Sequence, residues 1–103
     1  MGKSPGNKHT PPSLRAKVES GSATKTEAKA YYRSENEERA GRIKDLLSGM
    51  YDSKGADETN LVDLLSDIRH FCDVYAVEFA AADRVAHNHY TCEVVQARTG
   101  VAE

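Results

Sequence analysis

The chain has no apolar run long enough to cross a bilayer, and its first residues lack the hydrophobic stretch of a secretion signal. Those absences predict a cytoplasmic protein with no membrane contact. Cysteine is scarce, at two residues, and such a compartment keeps both as thiols. Proline is absent beyond Pro12, so nothing downstream forces a break in a helix. The sequence also contains no P-loop, no G-x-G-x-x-G, no H-E-x-x-H and no G-x-S-x-G. Without those patterns the reading is a non-enzymatic protein with no cofactor.

What is present centres on Asn60 to Tyr75, NLVDLLSDIRHFCDVY. Leu61, Leu64, Leu65, Ile68, Phe71, Cys72 and Tyr75 recur at i, i+3, i+4, i+7 and form one helical face. Asp63, Asp67, His70 and Asp73 take most of the opposite side. Asn60 is the expected N-cap, and Leu64 and Ile68 the expected centre of the core.

Upstream, Ala40, Ile43, Leu46, Leu47 and Met50 make a second stripe, which predicts a helix over Glu35–Met50. Thr24 with Glu27, and Ser34 with Glu37, both have the capping-box form. Either one helix starts near Lys25, or a short one hands over near Ser34. Residues 52–58, DSKGADE, are turn chemistry. Downstream a turn is expected at residues 76–78, then a third helix from about Phe79 to Ala97. The fold class is therefore all-α: an antiparallel helical hairpin plus a third helix, spanning residues 24–98, with residues 99–103 frayed. In that hairpin Met50 would meet Leu61, Leu47 would meet Leu64, and Ile43 would meet Ile68.

Residues 1–23 read as a disordered basic arm, too poor in apolar side chains to offset the entropy of ordering them. Charge follows the same division: residues 1–33 carry +5 and the remaining 70 carry −7. Two readings compete. In the first, the acidic body docks on a basic surface of a protein partner, such as a nucleic-acid-handling machine, through Asp63, Asp67 and Asp73 with the aromatics Tyr31, Tyr32 and Tyr90. In the second, nucleic acid is bound by Lys3, Lys8, Arg15, Lys17, Arg39 and Arg42. The basic residues are dilute and no aromatic is interleaved before Tyr31, so net acidity favours the first. The core is thin for a domain of this size, and a homodimer would supply the missing burial, with Tyr31, Tyr32, Phe79 and Tyr90 as candidate contacts.

The reactive side chains are His70, Cys72, His87, His89 and Cys92. Residues two apart on a helix point to nearly opposite sides, so of the close pairs only His89 with Cys92 can share a face. Folding the last two helices about residue 77 separates the sulfurs by about 15 Å along the axis. Neither a metal site nor a disulfide is expected. Asp63, Asp67, Asp73, Glu78 and Asp83 read as a solvated acidic face rather than a Mg²⁺ cluster.

The run LVDLLSDIRHFCD followed by FAAADRVAHNHYTCE, over Leu61–Glu93, resembles a recurring type of small protein carried by bacterial phages, plasmids and other mobile elements. The resemblance implies a genetic context and no catalytic residues. By analogy it implies an accessory protein that binds a host or defence component. In such relatives the turn before the Phe79 equivalent often contains glycine; here Ala76 and Val77 stand there.

Overall fold

The computed structural model describes residues 12–51 and 54–102. Among them are four helices and no strand: α1 Pro12–Ser20, α2 Lys25–Met50, α3 Asp57–Val74 and α4 Phe79–Thr99. The all-α expectation holds. The described residues divide into two compact units, 12–40 with 89–102, and 41–88, with the boundaries falling inside α2 and α4.

In the first unit the disorder expected through residue 23 is corrected over Pro12–Ser20, which is helix α1. Proline suits a first helical position, where its missing N–H would have had no partner. Leu14 and Val18, four apart and therefore on one face, are half-buried. Lys17 Nζ reaches Glu27 Oε2 at 2.9 Å and Arg15 reaches Glu35 at 3.5 Å. These few contacts are what composition averages missed. Residues 1–11 of the expected arm lie outside the described residues.

Gly21, at φ 78°, ends α1: its N–H donates to Val18 O and the N–H of Ser22 to Lys17 O, at 3.1 and 2.9 Å. That is the Schellman pattern, which satisfies two of the last carbonyls. Thr24 then starts α2 as a reciprocal capping box. Its N–H donates to Glu27 Oε1 at 2.9 Å, and the Glu27 N–H donates to Thr24 Oγ1 at 3.1 Å. The second candidate box does not start a helix. Ser34 is buried within α2 and its hydroxyl donates to the Tyr31 carbonyl at 2.9 Å. With no proline or capping geometry to interrupt it, α2 runs on for 26 residues.

The end of α4 returns to the same unit. Gly100, at φ 75°, donates its N–H to Gln96 O at 2.8 Å and lies against the Lys25 backbone. A Cβ there would stand 2.6 Å from the Lys25 carbonyl oxygen, so only glycine fits. The segment expected to fray after residue 98 thus carries a close backbone approach.

In the second unit α3 starts at Asp57, three residues before its expected cap. Asp57 and Glu58 in the first turn favour the positive end of the helix dipole, and the Lys44 ammonium holds Asp57 at 2.9 and 3.0 Å. Asn60 is therefore not a cap but a buried residue inside the helix.

Lys44 of α2 is joined to Asp57 at the start of α3, and Tyr51, just past the end of α2, to Asp67. An antiparallel register turning about residues 55–56 would instead place 44 beside 67. Met50 and Ile43, expected to interlock with Leu61 and Ile68, stay 65% and 42% exposed. Leu47 and Cys72 are the buried apolar side chains of this unit among the described residues, with Leu64 half-buried.

The turn expected at 76–78 is present. Tyr75 caps α3, Ala76 takes φ 60°, and the Val77 N–H donates to Cys72 O at 2.9 Å. This is the Schellman position that Gly21 fills in α1, here occupied by a residue with a Cβ. Glu78 then caps α4 by accepting the Ala81 N–H on Oε1 at 2.8 Å. The third helix of the sequence reading runs two residues past Ala97, to Thr99.

Candidate binding surfaces

Helix α3 carries five carboxylates against one guanidinium, Arg69. Asp63, Asp67 and Asp73 are all exposed, as the sequence pattern anticipates. Asp67 is engaged within the chain, because the Tyr51 hydroxyl donates to its Oδ2. Donation to a carboxylate favours the neutral phenol. That bond, with some desolvation and the charges of Asp67 and Asp63, pushes the Tyr51 pKa up to about 12. Asp63 and Asp73 are thus the two acidic candidates not spent on Tyr51.

The basic candidates are mostly tied down. Arg15 pairs with Glu35, Lys17 with Glu27, and Arg39 Nε with Glu93 Oε2 at 3.3 Å. Arg42 is exposed, and Lys3 and Lys8 lie outside the described residues. Lys17 also helps hold the Glu27 carboxyl below its ordinary range, after the larger effect of the Thr24 backbone N–H.

The aromatic candidates separate. Tyr31 and Tyr32 are half-buried and stack edge to face, with ring centroids 5.3 Å apart. Burial, and then the Glu35 carboxylate, raises the Tyr31 pKa. Phe79 is half-buried beneath the Arg69 guanidinium, 4.4 Å from its ring centroid. Tyr90 alone of the four is open, 63% exposed. It borders a cleft of about 350 Å³ whose other walls are Asn36, Arg39, Ala40, Glu93 and Val94. A polar chain closes one side of that cleft: the Asn36 amide donates to Glu93 O at 3.1 Å and Arg39 donates to Asn36 Oδ1 at 2.8 Å.

His70, His87, His89 and Cys92 are exposed, Cys72 is buried, and both cysteines are free thiols. Among the described residues no group of three or more His, Cys, Asp or Glu side chains could hold a metal ion. No described helix is long and apolar enough to cross a membrane.

What the sequence reading assigned to the core is in large part surface. Leu61, Leu65, Ile68, Phe71 and Tyr75 are between 37% and 67% exposed, and Phe71 and Tyr75 pack their rings 5.0 Å apart in the open. The signal was present in the sequence, as an apolar face with too little elsewhere to cover it. No family model, no curated protein and no solved structure matches this chain.

Proposed function

We propose that the chain is a non-enzymatic helical binding protein whose acidic α3 face docks on a basic surface of a macromolecular partner. The observation that carries the reading is the exposure of Asp63 and Asp73 on a helix with five carboxylates and one guanidinium. Such a surface attracts a cationic partner over a Debye length of about 8 Å at physiological ionic strength and steers its approach. The competing nucleic-acid reading is weakened because Arg15, Lys17 and Arg39 already serve carboxylates of the same chain. A mobile-element accessory or anti-defence role is the biological setting we attach to this binding. It rests on the resemblance over Leu61–Glu93.

The test is a titration of the full chain with a labelled Lys-rich peptide and, separately, with a labelled DNA duplex. The peptide should bind and release as salt rises. Reversing Asp63→Lys and Asp73→Lys should weaken it about tenfold, since each exposed pair contributes a few tenths to one kcal/mol and reversal adds repulsion. Asp67 is left intact because it holds Tyr51. Deleting residues 1–11 should matter less than the reversal. Tight DNA binding that this deletion abolishes would replace the proposal with the nucleic-acid reading.

A further inference from the structure

We infer that the open seam of α3 is a self-interface, covered by the same seam of a second copy of this chain. Leu61, Leu65, Ile68, Cys72 and Tyr75 are spaced four, three, four and three residues apart, the repeat of a helix packed along its length against another helix. At ~1.5 Å per residue the line extends about 21 Å. The chain covers the neighbouring side of α3 and, on this side, Cys72, and it leaves Leu61, Leu65, Ile68 and Tyr75 exposed. Asn60 is buried, Leu64 is half-buried and Asp67 is bonded to Tyr51, whereas Leu61, Leu65 and Ile68 are 42%, 46% and 37% exposed.

Two features choose the occupant. The first is charge. The positions flanking the seam, one residue after each of Leu61 and Ile68 and one before each of Leu65 and Cys72, are Val62, Arg69, Leu64 and Phe71. None is a carboxylate, and Arg69 is drawn over its own Phe79. A cationic helix seated here would find no counter-charge, while an identical apolar seam meets no facing acids. Asp63, Asp67 and Asp73 fall on outer positions and stay open beside the interface. The second is permanence. Among the described residues of 41–88, Leu47 and Cys72 are the buried apolar side chains, so the cover is needed wherever the chain folds, and a second copy is present there. The inference rests on the binding-protein reading only in leaving the acidic face free for its partner.

Sedimentation equilibrium of the full chain at micromolar concentration tests it. The wild type should be a dimer whose melting temperature rises with protein concentration. Leu65→Glu should raise the dissociation constant about a hundredfold or more, because an apolar contact is lost and a charge buried in both copies. Asp63→Lys should leave the dimer intact. The concentration dependence of the wild-type melt needs no variant, so it decides the matter even if Leu65→Glu loses its helices. Rising salt should hold or tighten the dimer while loosening the Lys-rich peptide. A wild-type monomer with a concentration-independent melt would overturn the inference, and so would an unchanged mass for folded Leu65→Glu. If that monomer still binds the peptide, the docking reading survives alone. A dimer indifferent to the peptide would leave the seam standing and remove the docking reading.

Discussion

Replacing Ala76 with glycine should stabilise the protein. Ala76 sits at φ 60°, and that conformation is fixed by the Val77 N–H bonding back to Cys72 O. For an L-residue with a Cβ the left-handed region costs roughly 1–2 kcal/mol, which glycine does not incur. Glycine in turn loses about 0.4–1 kcal/mol through the greater freedom of its unfolded chain. The net gain is about 0.5–1 kcal/mol, or ~2–8 °C in Tm for a domain of this size. Thermal unfolding followed by circular dichroism at one fixed protein concentration reads it. Ala82→Gly, on the exposed face of α4, is the control of opposite sign and should cost about 0.5–1 kcal/mol. A fall in Tm for Ala76→Gly equal to that of Ala82→Gly would refute the left-handed cap. It would favour one uninterrupted helix through residues 75–79.

Gly100→Ala should lower Tm by several degrees, since the new Cβ would meet the Lys25 carbonyl oxygen at 2.6 Å and the backbone is already at φ 75°. An unchanged melt would mean the end of α4 does not lie against the start of α2. Tyr51 gives a pH test whose sign follows from its raised folded pKa of about 12 against an ordinary value of 10. Between those values the folded chain keeps a proton that the unfolded chain has released, so this contribution is full below pH 10 and disappears as pH climbs toward 12. Tyr51→Phe should lack that component, and identical alkaline unfolding of the two proteins would exclude the bond to Asp67. Glu27 works in the other direction. Its pKa is lowered from 4.5, so its contribution is present above that value and lost as pH falls through the folded pKa, a loss Glu27→Gln should not share.

Much of the fold was legible because it rests on local rules. The Thr24–Glu27 box, the stripe from Leu61 to Tyr75 and the turn at 76–78 each carry their own signature within a few residues. Helix α1 was missed because its support is non-local, from Glu27 and Glu35 on another helix. The early start of α3 was missed for a related reason. Asp57 reads as turn chemistry until Lys44 is seen to hold it. Exposure of the acidic candidates followed from periodicity, but the engagement of Asp67 by Tyr51 did not. The largest departure concerns Leu61, Leu65 and Ile68. Periodicity marks a face that must be covered without saying whether the cover comes from the same chain.

We propose the exposed acidic side of α3 as the working surface of this protein. Backbone amide chemical shifts of the full chain, followed while a Lys-rich peptide is added, report on that surface residue by residue. Saturable shifts should cluster about Asp63, Asp67 and Asp73 and fade as salt rises, with α1 unmoved. Shifts confined to α1 around Arg15 and Lys17, or none along α3 at saturating peptide, would rule the acidic side of α3 out as the docking surface.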